Sequence, residues 1–263
     1  MEHFADALLN RKYDINKEIL ALEKLFKDYG GSTNISDRVH RNFLRWRHRN
    51  NFVDFKTFFE DKGLKIIVEK SVTGTVTLDE FIYYCEYMLS ILNVPDVGSC
   101  INSFYIRDNI ENILEKLNYI EHRFDGLYHI VKKDILVSEA ADIVKDNYDL
   151  GEGIYSFNYH EVKGDLNRKS DILCRLYKYV ESITSSAKQY GYSALLNDIK
   201  DLSNKLDIRH NANIKQEDVI KAMGKKEYEL WLDELFRLSL TLIVLVDYTS
   251  KRKDINELKA KLG

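Results

Sequence analysis

One proline, Pro95, and twelve glycines in 263 residues set the strongest limit on this chain. Proline removes a helical hydrogen bond and clashes with the preceding turn, so its near absence leaves room for long uninterrupted helices. Hydrophobic residues make up 44% and charged residues 31%. That is an ordinary globular balance, and the length allows one large domain or two smaller ones. The expected fold class is therefore mostly α, a helical bundle with one small β-hairpin. A net charge of −3 is too small to point by itself to nucleic acid or a membrane.

Apolar spacing sketches the N-terminal region. Ile15, Ile19, Leu22 and Phe26 share one face of a first helix, which Gly30 and Gly31 stop. Ser36 or Asp37 can cap a second helix over Arg38–Arg49, interrupted by Asn50 and Asn51. Phe52–Lys62 reads as a third, ended by Gly63. In Leu64–Leu78, β-branched residues flank Thr73-Gly74, and Ile66, Val68 and Val72 alternate with polar positions, which predicts a hairpin. Thr77-Leu78-Asp79-Glu80 fits a capping box opening a helix to about Asn93. The stretch Val94–Ser99 is a break. Ile106, Ile110, Ile113, Leu117, Ile120 and Phe124 make a long apolar stripe. Tyr128–Val137 suits either strand or helix, and Ser138 can cap a helix through Tyr148. The Gly-punctuated stretch Asp149–Asn167 is the best boundary, giving an N-terminal region 1–150 and a C-terminal bundle 151–263.

The C-terminal region is helical throughout. Ile172, Leu176, Val180, Ile183 and Ala187 form one stripe, ended by Gly191. Leu195, Ile199, Leu202 and Leu206 form a second. Trp231, Leu235, Leu238, Leu242 and Leu245 stripe a long helix, and Leu240, Ile243, Val244 and Val246 predict that it is enclosed on several sides. Its most apolar run, Leu238–Val246, is too short to span a membrane. The N-terminal MEHFADALLNRKYD has acids and no apolar run, unlike a signal peptide. Cys85, Cys100 and Cys174 are scattered and read as reduced thiols, which suits a cytoplasmic protein. No GxGxxG, P-loop, HExxH or GxSxG pattern occurs, so no metal and no small-molecule cofactor is indicated.

Two polar clusters stand out. At the end of the Leu195 stripe, Arg209 continues the apolar spacing and His210 lies at its edge, with Lys205 and Asn204 just before them, and Asn211 and Asn213 break the helix. A cation beside an imidazole suits phosphodiester cleavage, the imidazole moving a proton and the guanidinium stabilising the transition state. The alternative is structural: Arg209 pairs with an acid while His210 helps terminate its helix. The second cluster, RVHRNFLRWRHR, places Arg38, Arg41, Arg45, His48 and Arg49 within about a third of a helix's circumference. Such a stripe suits phosphate binding, or is a solvated face answering acids such as Glu60, Asp61 or Glu69. Tyr155, Phe157, Tyr159 and His160 either stack on bases or, more commonly, anchor a loop to the core.

The phrase Leu206-Asp207-Ile208-Arg209-His210-Asn211 resembles the ending of the second long helix in abortive-infection proteins of the HEPN superfamily, over roughly Asp165–Tyr248. The resemblance implies a helical bundle, usually a homodimer with two motifs across its interface. It also implies metal-independent RNA cleavage by attack of the 2′-OH on the adjacent phosphate. His210 would be the acid/base, Arg209 the phosphate clamp, and Lys205 and Asn204 supporting groups. The family places an arginine four to six residues before the histidine. Here that window holds Ser203, Asn204 and Lys205, and Lys lacks the forked geometry of Arg. A catalytically inert module binding nucleic acid or a protein is the competing expectation.

Overall fold

Thirteen α-helices and one two-stranded sheet account for most of the residues that the computed structural model describes, namely 14–27, 34–208 and 213–262. The mostly α expectation with a single hairpin holds. No helix among the described residues is long and apolar enough to cross a membrane. The chain divides into two units, Met1–Ile130 and Val131–Gly263. The division falls ahead of the glycine-punctuated stretch around position 150, which forms a helix and a 3-10 turn of the second unit.

The first unit holds α1 (Ile15–Lys27), α2 (Ile35–Asn42), α3 (Phe55–Asp61), α4 (Leu64–Thr73), α5 (Leu78–Ile91), α6 (Ile101–Lys116), β1 (Tyr119–Phe124) and most of β2 (Leu127–Lys132). The expected hairpin near 64–78 is instead helix α4 and its exit. Leu64, Ile67 and Ser71 are buried at helical spacing, and α1 covers that face. Packing on α1 thus overrides the β-propensity of Ile66, Val68 and Val72. Gly74, at φ +74°, receives the helix end in the left-handed conformation rather than turning a hairpin.

The real hairpin lies at Phe124-Asp125-Gly126-Leu127. Asp125 and Gly126 both have positive φ, 47° and 80°, as a tight two-residue connection with the strands' own twist requires. This also shortens the predicted stripe through Phe124. Helix α6 stops at Lys116, Asn118 turns the chain at φ 61°, and Ile120 belongs to β1.

Side chains cap the starts of α2, α3 and α5 in this unit. Asn34 accepts from the Asp37 N–H at 2.6 Å, so it is the cap of α2 in place of Ser36 or Asp37. Asp54 caps α3, and the Thr77–Glu80 capping box opens α5 as expected. The core joins Ile19, Leu22 and Phe26 of α1 to Phe81, Cys85 and Met88 of α5 and to Ile106 and Ile110 of α6. One side is aromatic: Phe43, Trp46, Phe52, Phe55 and Tyr87 all lie against Phe58, with ring centroids 5.4–6.4 Å apart.

The second unit contains α7 (Ile135–Ile143), α8 (Tyr148–Ser156), α9 (Leu166–Ser182), α10 (Thr184–Gln189), α11 (Ser193–Lys205), α12 (Asn213–Met223) and α13 (Lys225–Leu262). Asp134, not Ser138, caps α7. Helix α13 is the post against which α7, α9 and α11 pack. Its buried face runs through Tyr228, Leu232, Leu235, Ser239, Leu242 and Val246, rotated from the predicted stripe, so that Trp231 is exposed. Leu240 and Ile243 are buried too, as expected of a helix enclosed on several sides. Phe157 and Tyr159 are buried, and the Phe157 ring stacks flat on Phe236. These two aromatics therefore anchor their loop rather than offering faces to bases.

In the first core, Glu23 is buried and accepts a hydrogen bond from the Tyr84 hydroxyl at 2.8 Å. Tyr84→Phe leaves that carboxylate oxygen without its donor. The expected loss is about 1–3 kcal/mol in urea denaturation, and an unchanged midpoint would remove this bond from the account.

Candidate functional site

The connection between α11 and α12 holds Arg209 and His210, which lie outside the described residues; what surrounds it is described. Helix α11 is amphipathic, but its buried face is Leu196, Ile199 and Ser203, followed by Leu206, Asp207 and Ile208. Asn204 and Lys205 are exposed on its last turn, and their side chains have no hydrogen-bond or ion-pair partner among the described residues. Asp207 turns the chain at φ 56°, and the Ile208 N–H bonds back to the Ser203 carbonyl at 2.9 Å. This is the double reversal that ends helices, here with Asp where glycine is usual.

Beneath this turn lies a buried polar cluster. The Tyr228 hydroxyl donates to the Leu206 carbonyl at 2.9 Å. The Gln216 amide donates to Tyr228 Oη at 2.8 Å and to Ser170 Oγ at 2.6 Å. Both flanks of the 209–212 connection are therefore tied to one tyrosine of α13, and through Gln216 to α9. Burial pushes the Tyr228 hydroxyl's pKa up, so it stays a donor. Two buried atoms of the same turn, Ser203 Oγ and Asp207 Oδ2, have no hydrogen-bond partner among the described residues.

Next to it, buried Lys169 reaches Asp233 at 2.6 Å and Glu229 at 2.8 Å, and its ammonium lies 5.1 Å from the Phe157 ring centroid. Sequence reasoning missed this cluster. Ser170, Ser203, Gln216 and Tyr228 occur at positions where helical spacing places apolar residues, and that mismatch was the available signal.

The second predicted site changes shape. Arg38–Arg49 is not one helix: α2 ends at Asn42, and two 3-10 turns, Phe43–Arg45 and Arg47–Arg49, meet at an extended Trp46. The basic residues therefore do not share a single arc. Arg38 donates to the Asp96 carbonyl and to Ser99, and Arg45 pairs with the Asp96 carboxylate at 2.8 Å. Arg49 donates to the carbonyls of Leu44, Asn50 and Phe52. Among the described residues, Arg41 reaches only the Asp37 carbonyl of its own helix, at 3.3 Å. Arg47 pairs with Asp125 of the hairpin turn and donates to His48 Nε2 at 2.8 Å. Burial, and then the Arg47 charge, depress the His48 pKa. Gly126 suits this turn through its φ of +80°, and a Cβ there would also crowd His48 Nε2 at 3.0 Å.

Arginine is dense here partly because irregular backbone leaves carbonyls that helices would have used. Arg41 and Arg49 bond only carbonyls, so their charges are not neutralised by these contacts.

Among the described residues no group of three or more His, Cys, Asp or Glu is placed to hold a metal ion. The three cysteines are free thiols.

Arg49→Ala should cost about 1–2 kcal/mol because three carbonyls lose a charged donor. Arg41→Ala should fall within about 0.5 kcal/mol of wild type. Thermal melts of the two variants check this, and equal losses would contradict it.

A pH effect follows from Glu229. Burial acts to raise its pKa, but bonds from Lys169 and the Gly164 N–H outweigh that, and the carboxyl titrates below its ordinary value. A depressed folded pKa gives stabilisation that is present above the unfolded pKa and lost as pH falls through the folded one. Glu229→Gln should melt earlier than wild type at neutral pH, with the gap closing in acid. A gap independent of pH would count against it.

Comparison with protein-family models, with curated proteins and with solved structures finds no match to this chain.

Proposed function

We propose that the second unit acts on RNA as a HEPN-like, metal-independent endoribonuclease of the bacterial defence or toxin type, working as a homodimer. In this reading His210 moves the proton as the 2′-oxygen attacks the adjacent phosphorus and the 5′-oxygen leaves. Arg209 neutralises the charge that builds on the phosphoryl oxygens. Asn204 and Lys205 stand at the helix end before them, where they can meet the sugar–phosphate backbone. The observation that carries the reading is the tie between the flanks of the connection: Leu206 and Gln216 are both held by Tyr228. Flanks held in this way support the acid–base role this reading gives to the imidazole and guanidinium between them.

A second reading, a catalytically inert module that binds nucleic acid or a protein, is favoured by one feature. Asn204 and Lys205 have no supporting contacts among the described residues, and unsupported groups make poor transition-state clamps.

The test uses the full chain, single-stranded RNA and excess EDTA. Wild type should cleave, and His210→Ala should lose about 10²–10⁴-fold in rate while melting normally. Tyr228→Phe should lower the rate with a smaller effect, by freeing one flank. Equal cleavage by wild type and His210→Ala overturns the mechanism. RNA binding without cleavage by either supports the inert module. Lys205→Arg should preserve or raise the rate.

A further inference from the structure

In the first unit, α1, α2, α3 and the start of α4 surround a cleft of about 300 Å³, the lower end of the range for small-molecule sites. Its wall is aromatic. Phe26 and Phe55 turn ring surface toward it from the core, 5.9 Å apart between centroids, and Phe59 adds a third ring 5.5 Å from Phe55. His40 closes one side, edge-on to Phe55 at 5.2 Å. The wall offers water almost nothing to bond, so an apolar body gains by displacing it.

The rim gives the cleft a sign. Lys27, Lys56 and Lys65 line it together with Glu23 and Glu60. Lys27 pairs with Glu23 and Lys65 with Glu60. Lys56 has no carboxylate partner among the described residues, which leaves the lining one positive charge in excess. His40 adds a polar edge without adding charge: its Nδ1 bonds the Ser36 carbonyl at 2.8 Å, which can only accept, so Nδ1 carries the hydrogen and Nε2 of the neutral ring is an acceptor.

We propose that this cleft binds a small amphipathic acid, an aromatic or medium-chain carboxylate whose apolar body lies among Phe26, Phe55 and Phe59. Its single negative charge meets Lys56. A cation would face the unpaired ammonium, and a neutral amphiphile would leave Lys56 unanswered. The site belongs to the first unit and does not depend on the ribonuclease reading.

The test is titration of the full chain with decanoate by calorimetry, using decanol and decylamine as neutral and cationic counterparts of the same length. Decanoate should bind at one site and displace anilinonaphthalene sulfonate from it. Lys56→Glu reverses an exposed charge without touching the core. It should weaken decanoate about tenfold and leave decanol unchanged. Phe59→Ser should weaken both. Far-ultraviolet circular dichroism shows that each variant remains folded. Absence of saturable decanoate binding overturns the site. Decylamine binding more tightly than decanoate, or decanoate indifferent to Lys56→Glu, overturns the assignment of an acid.

Discussion

Every helix leaves four N–H groups at its start and four carbonyls at its end without partners, and a chain with so many helices meets that obligation repeatedly. Asn34, Asp54, Thr77, Asp134, Asn147 and Asp165 each accept from a backbone N–H two or three residues on. Ends are handled by left-handed residues, including Gly63, Gly74, Gly191 and Gly224, and by Asn118 and Asp207 where glycine is absent. Both candidate sites grow from this obligation. The arginine-rich turn feeds donors to carbonyls that a broken helix exposes, and the Tyr228 cluster holds the carbonyl at the end of α11.

That constraint also explains how much of the fold was legible. Caps and apolar spacing are local, so the mostly helical character, the Thr77–Glu80 box and the α9 stripe could be read directly. The error at Leu64–Leu78 arose where propensity and packing disagree. Alternating Ile66, Val68 and Val72 imitate a strand, but the side chains that pack on α1 are Leu64, Ile67 and Ser71. The true hairpin carried the clearest turn signal in the chain, Asp125-Gly126, hidden inside a stripe that continued helical spacing by chance through Ile120 and Phe124.

The sites were less legible for a chemical reason. Arginine density is visible in a sequence, but whether each guanidinium faces solvent or a stranded carbonyl depends on where the helix stops. Asn42 and Trp46 decide that, not the arginines. The Tyr228 cluster was invisible for the opposite reason. Tyrosine, serine and glutamine are unremarkable singly, and they become a network only when α9, α11, α12 and α13 bring them together. The acid-binding cleft rests on phenylalanines that a sequence assigns wholly to the core.

Helix α13 unites two environments in one hydrogen-bonded element. At 1.5 Å per residue its 38 residues extend about 57 Å. Up to Val246 one face of it is buried against neighbouring helices, whereas from Lys251 onward the described side chains are exposed. The first part shares the opening energy of the whole unit. The last turns are held by little beyond their own backbone bonds, and short unsupported helix is marginal in water. The helix therefore frays in one direction only, like a rope clamped at one end. Amide exchange along it becomes a position scale, slow where the clamp holds and fast toward Leu262.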